Sequence, residues 1–190
     1  MRVGADVIEF AKLPLEGARL LHRRVVRDDR GDFARLFCAE AFASEGLPSH
    51  FPQMNRSSCS SRGVLRGLHY QVAPAAEAKV LHCVSGRVLD VMVDVRACSA
   101  TFLGWHAQEL TGGDGLSVYI PTGFAHGYLA LSDDAVVEYL SSAPYTPACE
   151  RLLRWDDPRV GVLWPIENPI LSEKDANAPL LADDFRGVGS

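Results

Sequence analysis

Three residues with chemical work in reach interrupt what is otherwise an apolar strand pattern. In "GVLRGLHYQ", residues 63–71, Arg66, Gly67 and His69 stand among Val64, Leu65, Leu68 and Tyr70. Lys79 follows His69 by ten residues. A histidine, with an ordinary pKa of about 6.5, is poised to act as a general base near neutral pH. A lysine near it can hold a ketone oxygen and steady the enolate that forms when the neighbouring C–H proton leaves. If an acid such as a tyrosine stands on the opposite face of the substrate, reprotonation from that side inverts the carbon. The chemistry is epimerisation by proton transfer, with no cofactor.

Of the six histidines, only His126 rivals His69: it lies between Gly123 and Gly127 in "PTGFAHGY". His22, followed by Arg23 and Arg24, and His50, before Phe51 and Pro52, are expected at the surface. His82 points away from Lys79 if its strand is regular, and His106 opens a strand with no adjacent partner. A metal-binding barrel of the cupin type usually brings two close histidines and a carboxylate onto one ion. In "HYQVAPAAEAK" the position two after His69 is Gln71, and Lys79 would repel a cation. No metal site is expected.

The elements that must position these groups are mostly strands. "KVLHCV", "GRVLDVMVDVR", "WHAQELT", "LSVYIP", "HGYLALS" and "AVVEYLSS" are short β-rich runs separated by "SG", "GGDG", "PTG" and "SDD" turns. Strands at this spacing form an all-β sandwich or barrel. Residues 88–96 put Val91, Val93 and Val95 on one face and Asp90, Met92, Asp94 and Arg96 on the other; the polar face is expected in solvent, the alternative being a barrel interior that holds a polar ligand. "AEAFASEG", residues 39–46, is expected to form a helix closed by Gly46. Ser172 and Asp175 in "LSEKDANAPLL" resemble a capping box opening a second short helix. The serine cluster at 57–61 is expected in a loop, with Cys59 exposed.

The 190 residues are expected to form a single domain: N-terminal strands and a short helix over 1–50, the main β core over 51–150, and a C-terminal segment with a short helix over 151–190. A formal charge of -5 argues against general nucleic-acid or acidic-membrane binding, so any bound anion must be met by a few placed cations. No apolar run approaches the roughly 20 residues of a membrane helix, and the N-terminus lacks a basic-then-apolar leader pattern. Five scattered cysteines without a CxxC pair read as reduced thiols. A cytoplasmic protein is expected.

Nine motifs follow one another in an order and spacing that resembles the nucleotide-sugar 3,5-epimerases, whose type is dTDP-4-dehydrorhamnose 3,5-epimerase. They are "DDRGDF", "PQMN", "GVLRGLHYQ", "KVLHCVSGRVLDVMVDVR", "SATFLGW", "IPTGFAHGY", "VVEYLSSAPYTP", "RWDDP" and "LSEKD". The resemblance implies a cupin-like jelly-roll barrel with a few short helices, a homodimer, and action on a nucleotide-linked 4-keto-6-deoxy sugar. It makes His69 the base, Lys79 the group that steadies the enolate, Tyr139 the opposing acid and Asp175 the residue that orients His69. It places Tyr145 on the nucleotide base and adds binding roles for Arg30, Gln53, Asn55, Arg66, His126, Glu150 and Lys174. Arg30, Arg66 and Lys174 would then be the placed cations that a diphosphate requires of an acidic protein.

Two features depart from the family pattern. Arg35 in "GDFARLF" stands where the family usually has a nucleotide-contacting glutamate, which replaces an acceptor by an obligate donor. The "NRSSCSSRG" segment is one residue longer than its common form. Both departures touch the nucleotide end rather than the keto-sugar end, so they bear on which nucleotide is bound and not on the reaction type. A relative that epimerises one carbon only, or uses a CDP- or GDP-linked sugar, stays open as an alternative. From other classes, a metal-dependent cupin oxygenase and a non-catalytic sugar-binding module also stay open. Finally, Arg66 and His69 would face opposite sides of a regular strand; an irregularity at Gly67 is expected to turn both toward one ligand.

Overall fold

Alternating side chains in short runs, punctuated by glycine and proline, give antiparallel strands connected by tight turns. The computed structural model describes residues 8–189. The strands are β1 (Ile8–Lys12), β2 (Arg19–Arg23), β3 (Val25–Asp28), β4 (Gly31–Ala34), β5 (Gln53–Cys59), β6 (Leu65–Gln71), β7 (Lys79–Ser85), β8 (Arg87–Asp94), β9 (Trp105–Thr111), β10 (Leu116–Ile120), β11 (Phe124–Ala130), β12 (Ala135–Ser141) and β13 (Glu150–Leu152). Two short helices accompany them, α1 (Ala39–Ser44) and α2 (Glu173–Ala176). The residues on which the absence of a leader was judged, 1–7, lie outside the described residues.

A six-stranded sheet, ordered β1-β2-β10-β7-β12-β5, faces a five-stranded sheet, ordered β13-β6-β11-β8-β9, and β3 with β4 forms a separate hairpin. Neighbours within the sheets run antiparallel, making the expected all-β, cupin-like jelly roll. The core between the sheets takes Leu81, Val118 and Val137 from the first and Val88, Met92, Leu110 and Phe124 from the second. Outside the six-stranded sheet, α1 lays Phe42 over Leu21, Val80 and Tyr119. Outside the five-stranded sheet, the C-terminal segment packs Leu153, Val160, Trp164 and Phe185 over Val91, Val93 and Val95. Each such side chain buried contributes about 1.5–3 kcal/mol.

That outer cover corrects the reading of residues 88–96. The face expected in solvent points inward, with Asp90, Met92 and Asp94 all at 0% exposure. Alternation separates two faces but cannot say which has another layer on it, and here both do. Inside, Asp94 accepts a fork from Arg96, Nε at 2.9 Å and Nη2 at 2.7 Å, and hydrogen bonds from the Ser99 and Thr101 hydroxyls at 2.5 and 2.6 Å. Burial pushes the Asp94 carboxyl upward, but these donors outweigh it and bring its pKa below the ordinary value. A depressed carboxyl stabilises the fold above its unfolded pKa, and that contribution fades as pH falls through the folded value. Asp94→Ala should therefore cost about 3 kcal/mol at neutral pH. In denaturant unfolding, the gap between wild type and variant should narrow below about pH 3.9.

A second correction concerns residues 57–59 of the serine cluster, which belong to a strand over Gln53–Cys59. The serine-rich stretch is an edge strand, β5, paired along its length with β12. Cys59 is 1% exposed, not at the surface. Polar residues on both faces hid the alternation, which the structure reveals as half-buried Gln53, Asn55 and Ser57 alternating with exposed Met54, Arg56 and Ser58. The helix expected over 39–46 forms over Ala39–Ser44 and ends before Gly46, whose φ is +70°.

Candidate active site

The irregularity expected at Gly67 is present. On β11, His126 and Tyr128 are two positions apart, but their partners on β6, His69 and Arg66, are three apart. The extra residue is a bulge that reverses alternation, so Arg66 and His69 both line one cavity of about 480 Å³. Gly67 adopts φ +134°, and a Cβ there would lie 2.5 Å from Gly127 Cα. Two facing glycines thus let β6 and β11 approach at the floor of the site.

His69 projects from β6 and meets Asp175 from α2, with His69 Nε2 2.6 Å from Asp175 Oδ1. Ser172 is the N-cap of α2 and accepts the Asp175 amide at 3.1 Å, leaving the Asp175 carboxylate free to address the imidazole. Burial pushes Asp175 upward, yet the His69 hydrogen bond and charge, with the Ser172 hydroxyl, bring its pKa below the usual range. It is a fixed anion behind the imidazole.

The opposite wall comes from the other sheet. Lys79 on β7 and Tyr139 on β12 line the same cavity as His69. Burial, reinforced by the charge of Glu77 and opposed by that of Arg66, raises the Tyr139 pKa. Glu77, which the sequence reading missed, pairs with Lys79 at 3.0 Å. His126 also faces the cavity and is held by the fully buried Asp90, with His126 Nε2 2.7 Å from Oδ2. Asp90, equally missed, was visible only as one residue of the polar face of β8.

A second cavity of about 270 Å³ shares His69, Lys79 and Tyr139 with the first and continues to Gln53, Asn55, Tyr145 and Glu150. Gln53 donates to Asn55 Oδ1 at 3.2 Å and accepts the Tyr145 amide at 3.0 Å. Lys174 reaches both Glu150 oxygens at 2.6 Å, and Tyr145 Oη donates to the same carboxylate at 3.1 Å. Burial opposes both charges of the Lys174–Glu150 pair, and their mutual bonding overrides it, raising Lys174 and lowering Glu150. The Tyr145 side is open: the residue is 52% exposed.

Eleven of the twelve residues anticipated for the site line these two connected cavities, Asp175 among them. Arg30 does not. It lies on the β3–β4 hairpin with its side chain 89% exposed, paired to Asp28 at 2.5 Å. Among the described residues, no group of three His, Cys, Asp or Glu is placed to hold a metal ion.

Comparison with known proteins places this geometry in a family. The family model described as dTDP-4-dehydrorhamnose 3,5-epimerase matches residues 12–183. A protein of that name from Streptomyces griseus is 43% identical over 180 residues, 93% of this chain and 88% of the relative. The structure of a dTDP-6-deoxy-D-glucose-3,5-epimerase from Legionella pneumophila, in complex with dTDP-4-keto-L-rhamnose, superposes with a TM-score of 0.90 at 34% identity, covering 97% of this chain and 99% of that one. A 3'-monoepimerase from Streptomyces bikiniensis, in complex with dTDP-quinovose, is similar at TM-score 0.83 and 38% identity, covering 88% and 85%.

Proposed function

The chain belongs to the dTDP-4-dehydrorhamnose 3,5-epimerase family, and on that premise we propose that it is an isomerase converting dTDP-4-dehydro-6-deoxy-D-glucose to dTDP-4-dehydro-L-rhamnose. The observation that carries this reading is the placement of a base and an acid on opposite walls: His69 on the five-stranded sheet, Tyr139 on the six-stranded one. Inversion of a carbon requires that arrangement.

Asp175 accepts from His69 Nε2–H, so the lone pair of the neutral ring is on Nδ1. That nitrogen takes the proton from the carbon beside the C4 ketone. The C–H electron pair forms the C–C double bond of the enolate, and the carbonyl pair moves onto O4. The Lys79 ammonium stabilises the oxyanion. Tyr139 then gives its proton to the opposite face of the carbon as the C4 carbonyl re-forms; a phenol is protonated at neutral pH, and burial raises its pKa further here. Once His69 has released its proton to solvent and Tyr139 has regained one, the same cycle at the other carbon flanking the ketone completes the reaction.

Arg66 and Lys174 supply positive charge for the diphosphate, Gln53 and Asn55 contact the nucleotide end, and Tyr145 stacks on the base. His126, held by Asp90, orients the sugar. The homodimer implied by the family belongs to the same reading: the hairpin that carries Arg30 exposes Val26 and Phe33 at 43% and 63%, an apolar surface for a second copy. Across such an interface Arg30 and Arg35 would meet a ligand that neither approaches within one chain. Five free thiols support a cytoplasmic setting, and among the described residues no helix is long and apolar enough to cross a membrane.

The similarity to a 3'-monoepimerase favours a second reading, inversion at one carbon only. Turnover in deuterium oxide decides between them. With the dTDP-linked 4-keto sugar, incorporation at both C3 and C5 is the expected result, and incorporation at one carbon establishes the single epimerase. Exchange confined to a CDP- or GDP-linked sugar reassigns the nucleotide, and no exchange with any of the three sinks the reading.

A further inference from the structure

Glu77 enters the site from the loop between β6 and β7, where it stands beside two groups of the proposed mechanism. Its Oε1 is 3.0 Å from Lys79 Nζ, and both side chains are largely buried, at 10% and 13% exposure. Its Oε2 accepts the hydroxyl of Ser141, which is fully buried. Ser141 lies directly across the ladder from Lys79 and two residues beyond Tyr139 on the same strand face. Ser141, Glu77 and Lys79 therefore close a ring at the edge of the cavity, with Tyr139 as the next side chain along.

A structural reading would make Glu77 a counter-ion that merely compensates a half-buried ammonium. It does not account for the anchoring. A lysine loses rotamer entropy when its tip is fixed. A carboxylate that is itself tied to a buried hydroxyl confines that tip, whereas a loose counter-ion would move with it. The pair also weakens the ammonium's field on a developing oxyanion, a cost that a site devoted to enolate stabilisation carries only if the carboxylate does something else. Beside it is the phenol that must stay protonated until the carbanion needs it, and an adjacent negative charge opposes loss of that proton.

We propose that Glu77 is a positioning residue of this centre: anchored by Ser141, its carboxylate sets the Lys79 ammonium at the substrate oxygen and holds Tyr139 in its acid form. The kinetic part of the proposal rests on the epimerase reading above; the Tyr139 part does not.

Glu77→Gln preserves shape and removes the charge: its amide oxygen can still accept from Lys79 and its NH2 can donate to the Ser141 hydroxyl, reversing that one hydrogen bond. Two measurements test it. In an ultraviolet tyrosinate titration, with Tyr139→Phe backgrounds used to isolate the Tyr139 transition, Glu77→Gln should move that transition to lower pH. In steady-state kinetics the same variant should lose roughly tenfold in kcat with KM within about twofold, and the alkaline limb of its kcat profile should move down in pH. Ser141→Ala, which frees the carboxylate but keeps its charge, should lower kcat without moving the Tyr139 transition. An unmoved Tyr139 transition together with an unchanged kcat profile in Glu77→Gln overturns the proposal. A wild-type protein without turnover refutes the epimerase reading instead, and the titration still decides whether Glu77 and Tyr139 are coupled.

Discussion

Replacing His69 by Asn is expected to lower kcat by about 10³-fold or more while leaving the affinity for a dTDP-linked ligand within several-fold. The asparagine keeps a polar group of similar reach beside Asp175 but offers no basic lone pair, so the C–H proton has nowhere to go. Binding survives because Arg66, Lys174, Gln53 and Tyr145 take their hydrogen bonds from partners other than His69. Stopped-assay rates and calorimetric titration with the dTDP-linked sugar measure the two effects separately. A variant that turns over within tenfold of wild type would remove His69 from the role of base. Equal loss of binding and turnover would instead make it a ligand contact.

Gly67→Ala is expected to destabilise the fold by about 3 kcal/mol and to impair catalysis in whatever protein remains folded. Its φ of +134° already disfavours any side chain, and the new Cβ would press on backbone at 2.5 Å from Gly127 Cα and 2.9 Å from His126 O. Backbone atoms in a ladder cannot rotate away as a side-chain tip can. Relief requires parting β6 from β11, which misplaces Arg66, His69 and His126 together. Gly31→Ala provides the control, since Gly31 has a similar φ of +129° with nothing within 4 Å of the new Cβ. It should lose only the conformational part, about 1 kcal/mol. Equal melting shifts for the two variants would mean that the close approach of the strands contributes nothing.

The parts of the site that were legible are those whose chemistry needs a specific residue type at a specific place in a motif. His69, Lys79, Tyr139 and Asp175 belong to that class, and the bulge at Gly67 followed from a conflict between period-two alternation and two side chains wanted on one face. Glu77 was not legible: in "APAAEAK" it is one carboxylate in a loop, and only the folded chain puts it against Lys79. Asp90 was seen on the polar face of its strand but assigned to solvent, because the layer that covers the opposite face comes from residues 153–188, far along the chain. Residues 57–59 were misread for a different reason. An edge strand lining a polar cavity needs no apolar alternation, so β5 is composed like a loop.

Composition, turn residues and period-two runs by themselves determined an all-β chain with short helices, and the motifs in register determined the family and singled out the residues proposed to react. Those are local properties, carried by residue types a few positions apart. The tertiary structure decided what lies against what: that both faces of β8 are buried, that His69 and Tyr139 come from opposing sheets, and that Arg30 stands away from the cavity of its own chain. These depend on contacts between segments tens of residues apart, which strand period cannot encode. The strand 65–71 holds both lessons, since its alternation predicted that something had to give at Gly67, and only the packing of Gly67 on Gly127 fixed where His69 would stand.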